Sequence, residues 1–406
     1  MNILLIEPKF PIPPKSKNHK DFLPIGLLKL ACYYKSQGHK VSLIRGNIEK
    51  EKILFKPDKI MVTSLFTYWS IYVKETVQHY KNLFPDAKII VGGIYASLMP
   101  KHCKKYTGCD EVFVGIHENA ENYAKNNLLD YNLVSNPHPI DYQIVHGSRG
   151  CIRKCNFCGT WKIEPKFIPK NSIKNEIQSN KLIFYDNNFL ANPHIEQLLE
   201  EISQLRYKEK PVYCESQSGF DGRILLEKPH LTKLLKKARF KNVRIAWDHG
   251  YSEWKIIKKQ LDLLTKAGYP SKAVYVFMIY NFEHDFLEME KKRIKCWEWK
   301  FQIADCRYRP LKQTFDNYNS KKEQTNKDYF IHPKWTDAEV KQFRKNIRRQ
   351  NICVRQGFDF HSKMLEQKRI DKRNFPRIKH MPKSKIIKAI PDAWYPDQIT
   401  PPKHKE

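Results

Sequence analysis

Short apolar runs alternate with amphipathic stretches over residues 1–130. The apolar runs predict buried strands, and the stretches with apolar residues every three or four positions predict helices. The predicted strands are Asn2–Ile6, Val41–Ile44, Lys59–Thr63, Lys88–Val91 and Glu111–Val114. The predicted helices are Pro24–Gln37, Trp69–Leu83 and His117–Leu128. Strands joined by helical crossovers favour an α/β fold with a doubly wound parallel sheet, whose ligands bind beyond the carboxyl ends of the strands.

The same alternation returns over residues 144–312, after a linker at 131–143 that contains Asn136-Pro137-His138-Pro139. The predicted strands are Ile144–Val145, Lys181–Tyr185, Pro211–Ser216, Asn242–Trp247, Lys272–Ile279 and Phe301–Asp305. The predicted helices are Pro193–Leu205, Lys228–Ala238, Trp254–Lys266 and Phe282–Lys292. Residues 313–406 complete the chain with a basic helix over Trp335–Gln350 and a tail from Lys368 that is rich in lysine, arginine and proline.

The loop after Ile144–Val145 carries three cysteines, Cys151, Cys155 and Cys158, at C-x3-C-x2-C spacing. Such a loop can present three thiolates to one iron–sulfur cluster and leave one iron open to a small molecule. The alternatives are three unlinked cysteines or a zinc half-site. Zinc sites usually take a fourth ligand at short spacing. His146 precedes the loop, but neither a second Cys-x2-Cys nor a His pair follows it nearby.

This loop, from Gly147 to Gly159, resembles the signature of the radical S-adenosylmethionine (radical SAM) superfamily. The resemblance implies a 4Fe–4S cluster on the three cysteines that reductively cleaves SAM to a deoxyadenosyl radical. It also implies a partial (β/α) barrel over residues 144–312 and an electron donor such as flavodoxin or ferredoxin. By the same resemblance Phe157 packs near the adenine of SAM, with packing in a core as its alternative role.

Residues 1–130 resemble the cobalamin-binding domain that precedes many radical SAM domains. The segments that carry the resemblance are Ile3–Pro8, Val91–Ser97 and Cys109–Gly115. It implies a Rossmann-like domain with cobalamin near Ser64, Gly92 and Gly93. The histidine-ligand motif D-x-H-x-x-G of such domains is absent, since the loop around His19 reads Lys17-Asn18-His19-Lys20-Asp21-Phe22. We therefore expect that bound cobalt takes no histidine from this loop.

Polar residues at the ends of the predicted barrel strands are candidate SAM contacts. They are Asp186, Gln217, Arg223, Asp248 and Tyr280. Ribose hydroxyls need a carboxylate or amide partner, and the methionine carboxylate needs a cation. Each of these residues could instead serve in a turn or a helix cap. The glycine-glycine-glutamate element of the superfamily is not found after the second barrel strand, where Asp186-Asn187-Asn188 stands.

The composition of the chain predicts its compartment and indicates candidate partners. No run of about 18 apolar residues exists, so we expect no membrane span. Ten cysteines in 406 residues do not make a disulfide scaffold, and beside a cluster motif they favour a reducing, cytoplasmic compartment. The net charge of +30, from 73 Lys+Arg against 43 Asp+Glu, is typical either of a nucleic-acid partner or of lysines spread over solvated faces.

Two functions follow from the sequence. The first is a radical SAM enzyme that abstracts hydrogen from a substrate carbon, with cobalamin-dependent methyl transfer as one outcome. The second is a nucleic-acid-binding protein whose iron–sulfur cluster is structural or redox-sensing. The cysteine loop supports the first, and the basic charge supports the second.

Overall fold

The computed structural model describes residues 1–12, 23–134 and 140–357, and the backbone of 361–362 and 393–394. The chain divides into two compact units. Unit 1 comprises residues 1–218, 237–240 and 309–317, and unit 2 comprises residues 219–236, 241–308 and 318–406. The loop around His19, the linker residues Asn136–Pro139 and most of the tail from Lys368 lie outside the described residues.

The strands and helices alternate along most of the described chain. The strands are β1 Asn2–Glu7, β2 Lys40–Arg45, β3 Lys59–Ser64, β4 Lys88–Gly93, β5 Glu111–Val112, β6 Gln143–Val145, β7 Ser148–Arg149, β8 Ile168–Pro169, β9 Lys181–Phe184, β10 Arg206–Tyr207, β11 Lys210–Pro211, β12 Tyr213–Ser216, β13 Phe240–Lys241, β14 Arg244–Ala246, β15 Tyr275–Tyr280, β16 Gln302–Arg307, β17 His361–Ser362 and β18 Ala393–Trp394. The α-helices are α1 Ile25–Ser36, α2 Ser70–Leu83, α3 Ile94–Leu98, α4 Pro100–Thr107, α5 Glu118–Ala124, α6 Thr160–Ile163, α7 Ile195–Gln204, α8 Gly222–Glu227, α9 Leu231–Lys237, α10 Trp254–Lys266, α11 Phe286–Glu298 and α12 Asp337–Gln356.

Unit 1 begins with a five-stranded parallel sheet in the order β2-β1-β3-β4-β5. Successive side chains of a strand point to opposite faces of a sheet, so β1 supplies two cores. Ile3 and Leu5 join the core beneath α1, while Leu4 and Ile6 join the core beneath α2. A parallel sheet covered on both faces is the predicted α/β architecture, which the structure confirms.

A second sheet in unit 1 supports the cysteine loop. Its order is β13-β12-β9-β6, and β6, β9 and β12 run parallel. Directly after β6, the short hairpin of β7 and β8 pairs Ser148 with Pro169 and Arg149 with Ile168. The three cysteines therefore lie between two paired strands, which hold the chain on both sides of them.

Unit 2 contains the parallel sheet β14-β15-β16. The predicted basic helix is α12, which begins with a capping box between Thr336 and Glu339. Its apolar face packs within the unit. Asn351 on α12 accepts from the backbone N–H of Ile303 at 2.9 Å and donates to the Ile303 carbonyl at 2.7 Å. The helix thus belongs to the fold of unit 2.

Some element bounds differ from the predictions. Helices α3, α4, α6 and α8 were not predicted, because each is short and lacks a long apolar stripe. Helix α11 begins at Phe286 rather than Phe282, because the Asp285 side chain caps it by accepting from the Glu288 N–H at 2.8 Å. The strands of the predicted barrel lie in two sheets, one in each unit. The single barrel and the predicted domain bounds stay predictions. No helix in the described ranges is long and apolar enough to cross a membrane.

Candidate functional site

A cavity of about 260 Å³ opens at the carboxyl ends of β3 and β4 in unit 1. Its lining includes Ser64, Gly92 and Gly93, the three residues predicted to lie at this edge. Helices α1 and α5 form its sides. Ligands of doubly wound sheets bind at this edge, because strand ends and helix starts leave backbone groups there.

The strand ends that line the cavity are locked together. The Ser64 hydroxyl donates to the Gly92 carbonyl at 2.7 Å and accepts from the Ala96 N–H at 3.1 Å. Gly93 has a φ of 96°, and a Cβ at this position would lie 2.3 Å from the Ser64 carbonyl oxygen. Only glycine fits this conformation and this close approach. The edge is therefore rigid and open to close contact with a ligand.

His117 contributes an aromatic part of the same cavity, and sequence analysis did not find it. Its ring stacks on Phe113 with the centroids 5.5 Å apart. Its Nδ1 accepts from the Ala120 N–H at 3.2 Å and so caps α5. Burial lowers the pKa of His117, against the effect of its own backbone hydrogen bond, and the charge of Lys59 lowers it slightly further. The cavity thus meets a neutral imidazole. The available signal was a polar residue at the start of a predicted helix.

Four charged residues close the cavity on another side, and we call them the polar wall: Lys29, Glu121, Arg149 and Glu164. Lys29 pairs with Glu121 at 2.7 Å, and Arg149 Nη2 donates to Glu164 at 2.5 Å. Burial lowers the pKa of Lys29 to about 8, against the pull of Glu121. Burial favours the protonated form of Glu121, but Lys29 and Arg149 outweigh it and lower the pKa of Glu121.

His146 is buried and contacts Arg149 of the polar wall. Arg149 Nη1 lies 2.6 Å from His146 Nε2, and because arginine only donates, Nε2 is the acceptor. Burial, with the charges of Lys29 and Arg149, holds the pKa of His146 well below its usual range. The imidazole is therefore neutral, with its proton on Nδ1, and it orients the guanidinium of Arg149.

Asp186 holds the backbone that enters the cysteine loop. Its carboxylate accepts from the N–H groups of Gly147 and Ser148 at 3.0 and 2.5 Å, and from the Ser148 hydroxyl at 2.8 Å. Burial raises the pKa of Asp186 to about 6, although these donors favour the charged form. The side chain is 1% exposed. The carboxylate thus positions the entry of the loop, and a contact of Asp186 with SAM stays a prediction.

The three cysteines lie on one partly buried loop. The Arg153 N–H donates to Cys151 Sγ at 3.3 Å, and the Thr160 N–H donates to Cys158 Sγ at 3.5 Å. Cys155 lies between them, and its carbonyl accepts from the Cys158 N–H at 3.1 Å. Over the described ranges, no three His, Cys, Asp or Glu side chains are gathered closely enough to hold a metal ion. The thiol donor set suits an iron–sulfur cluster, but the structure does not gather the thiols.

Two other predicted SAM residues of unit 1 lie at loop positions. Phe157 is half-buried within the cysteine loop. Gln217 is half-buried just after β12, and its N–H donates to the Phe184 carbonyl at 3.0 Å. Their roles toward SAM stay predictions.

The remaining three candidates belong to unit 2. Arg223 is half-exposed and pairs with Asp221 at 3.2 Å. Burial raises the pKa of Asp248, against the charge of Lys292. Tyr280 is 1% exposed, and burial raises its pKa. Its ring packs against Phe343 with the centroids 5.2 Å apart. Tyr280 thus lies in the core of unit 2, and its contact with SAM stays a prediction.

A buried lysine that was not predicted, Lys292, binds the backbone on either side of Asp248. Lys292 Nζ donates to the carbonyls of Trp247 and His249, both at 2.8 Å. Burial lowers the pKa of Lys292 to about 8, against the charge of Asp248. The ammonium group fixes the backbone on both sides of Asp248 at the carboxyl end of β14.

Comparisons with known proteins found one family model and one solved structure that are similar to parts of the chain. Residues 16–124 match the family model of the B12 binding domain. A crystal structure of a novel cobalamin-binding protein from Desulfitobacterium hafniense DCB-2 matches with 17% identity and a TM-score of 0.21, and it covers 30% of this chain. The match spans 55% of that protein, about half of its length. Among curated proteins, none matches the chain.

The family match supports the predicted cobalamin-binding domain and includes Ser64, Gly92 and Gly93. It ends before the cysteine loop.

Proposed function

We propose that the chain is a cobalamin-dependent enzyme that holds the cofactor at the carboxyl edge of its first sheet. The single observation that carries the proposal is the cavity of about 260 Å³, lined by Ser64, Gly92 and Gly93 within the matched domain. The close approach at Gly93, where a Cβ would meet the Ser64 carbonyl, suits the entry of the nucleotide tail of the cofactor. Bound cobalamin would supply methyl-transfer chemistry.

The residues around the cavity have separate roles in this proposal. Ser64 holds the ends of β3 and β4 together and so fixes the shape of the entrance. His117 gives the cavity a neutral aromatic surface. The polar wall excludes water and presents fixed charges, which act more strongly in a dry site than in solvent.

We further propose that the cysteine loop binds a 4Fe–4S cluster that uses SAM, with a flavodoxin or ferredoxin as electron donor. Support comes from the spacing of Cys151, Cys155 and Cys158 and from the backbone N–H groups aimed at two of the thiols. Such a cluster would supply reductive cleavage of SAM. Asp186 and Glu164 hold the backbone before the first cysteine, which keeps the loop entry in place.

Incubation with hydroxocobalamin under anaerobic conditions, followed by desalting and an absorbance spectrum, tests the first proposal. Wild type should retain cobalamin in a one-to-one ratio. Gly93→Ala should retain much less, because its methyl group would push against the Ser64 backbone. Gly38→Ala is the matched control, since Gly38 also has a positive φ but nothing within 4 Å of the position that an added methyl group would take. Wild type that elutes without cobalamin would refute the proposal.

Iron content tests the cluster proposal separately. Reconstituted protein should carry about four irons, as a single cubane does, and lose them when the three cysteines become alanine. Reduced protein with SAM should release deoxyadenosine. Cobalamin retention without bound iron would leave the cobalamin proposal standing and remove the cluster.

Nucleic acid stays a candidate partner on the +30 charge alone. Two basic residues of α12 are already paired within unit 2, Lys341 with Asp337 at 2.6 Å and Arg344 with Asp305 at 3.5 Å. These pairs reduce the positive charge that this helix offers to a phosphate backbone.

A further inference from the structure

Arg149 contributes to the cavity from outside the matched domain. It lies on β7, two residues before Cys151, and it lines both the cavity of about 260 Å³ and a neighbouring one of about 300 Å³. The motif from Gly147 to Gly159 contains Arg149, but the sequence assigned it no role. Its position makes it the part of the polar wall closest in sequence to the cysteine loop.

The guanidinium of Arg149 is held by two of its three nitrogens. Nη1 donates to His146 and Nη2 donates to Glu164, at 2.6 and 2.5 Å. The Nε atom is buried and has no hydrogen-bond partner among the described residues. The nearest oxygen of Glu121 is 4.0 Å away, too far for a hydrogen bond. A buried donor without an acceptor is destabilising, so a ligand that supplies an acceptor would recover this energy.

The charge of the polar wall decides what kind of acceptor fits. The charged residues that line the cavity of about 260 Å³ are two cations, Lys29 and Arg149, and two carboxylates, Glu121 and Glu164, among the residues that the structure describes. They already form balanced pairs, so a ligand anion would add an uncompensated charge to a buried site. A neutral oxygen, beside a group that can donate to the carboxylates, fits better. A primary amide has both.

We infer that Arg149 binds a side-chain amide at the edge of the corrin ring, with Nε donating to the amide oxygen. This inference rests on the proposed function, because the corrin periphery carries several neutral primary amides. Arg149 is then a binding residue that the second half of unit 1 adds to the cobalamin-binding domain. His146 and Glu164 act through Arg149, by fixing the direction of its free N–H.

Binding of two corrinoids to the full chain tests the inference. Hydroxocobalamin carries the nucleotide tail, whereas dicyanocobinamide lacks the tail but keeps the peripheral amides. Arg149→Lys keeps the charge that faces Glu164 but lacks the planar fork and the Nε donor. It should weaken the binding of both corrinoids by about tenfold, the effect of one charge-assisted hydrogen bond. Gly93→Ala should weaken only hydroxocobalamin.

Lys166→Gln is the charge control, because Lys166 is exposed and lines only the neighbouring cavity of these two. It should bind both corrinoids as wild type does. If Arg149→Lys does not fold, as judged by circular dichroism, the double change Arg149→Met with Glu164→Gln removes the ion pair without leaving one charge buried alone, and glutamine keeps an acceptor oxygen for the Gly150 N–H. The same tenfold loss is expected.

The outcomes separate this inference from the proposed function. Wild type that retains no corrinoid overturns both. Wild-type retention with equal affinity in Arg149→Lys overturns the role of Arg149 alone. Loss of hydroxocobalamin binding without loss of cobinamide binding would place Arg149 against the nucleotide tail, which overturns the assignment to an amide.

Discussion

Gly150, directly before the first cysteine, is the position where one added methyl group should disturb the cysteine loop most. It has a φ of 78°, which alanine adopts at a cost. An added Cβ would lie 2.2 Å from the Lys166 carbonyl oxygen and 3.2 Å from the Phe167 Cα. These are backbone atoms, so no side-chain rotation can relieve the contact. The β7–β8 hairpin would have to open by roughly 1 Å to reach ordinary van der Waals distance.

The loss in the free energy of unfolding that we expect for Gly150→Ala has two parts. The positive φ should cost about 1–2 kcal/mol in alanine. Opening the hairpin weakens the Gly150 N–H bond to Glu164, now 2.7 Å, and the Lys170 N–H bond to the Gly147 carbonyl, now 2.9 Å. Each such bond contributes about 1 kcal/mol, and more when the acceptor is charged. Gly150→Ala should therefore lower the free energy of unfolding by about 3–5 kcal/mol.

Gly108→Ala isolates the first part, because Gly108 has a φ of 76° and nothing within 4 Å of the added methyl position. It should lose only about 1–2 kcal/mol. Urea unfolding followed by circular dichroism gives both free energies, and iron content after reconstitution reports the loop. Equal destabilisation by the two substitutions, or unchanged iron in Gly150→Ala, would refute the close packing of the hairpin against the loop.

Two further predictions concern buried side chains near the loop. The unfolded chain protonates His146 near pH 6.5, whereas the folded chain keeps it neutral, so its contribution to stability is lost as the pH falls below about 6.5. Between pH 6.5 and 5, the free energy of unfolding should fall less steeply in His146→Gln than in wild type. The two slopes should differ by up to about 1.4 kcal/mol per pH unit. Identical slopes of the two proteins, measured by urea unfolding at each pH, would show that His146 is protonated in the fold. Asp186→Asn replaces one acceptor oxygen by a donor that faces the Gly147 and Ser148 N–H groups, and it should cost about 2–4 kcal/mol in thermal or urea unfolding. Unchanged stability would contradict the positioning role of Asp186.

The strands of the first sheet could be predicted closely, because each is encoded by a short apolar run of its own sequence. The runs at β1, β3 and β4 are apolar on both faces, as strands of a covered parallel sheet must be. Each predicted run reproduces its strand to within two residues at either end. The short helices α3 and α4 were missed, although Pro100 at the start of α4 and Gly108 at its end were signals in the sequence.

The candidate site could be predicted only in part. Ser64, Gly92 and Gly93 end two strands that are neighbours in the sheet, so their common edge is a consequence of the strand order. The polar wall could not be found, because Lys29 and Glu121 come from helices that are far apart in sequence. The burial of Tyr280 could not be predicted, because a strand end alone does not tell whether a helix covers it. Here α12 covers it through Phe343.

The side chain of Asn351 has a consequence for the solubility of unit 2. β16 is an edge strand, and an edge strand with unpaired N–H and C=O groups is a template for joining the sheet of another molecule. Asn351 fills both hydrogen-bonding positions of Ile303, much as a neighbouring strand would. α12 therefore protects this edge against sheet-to-sheet aggregation, and a protein that lost the helix would be prone to self-association through β16.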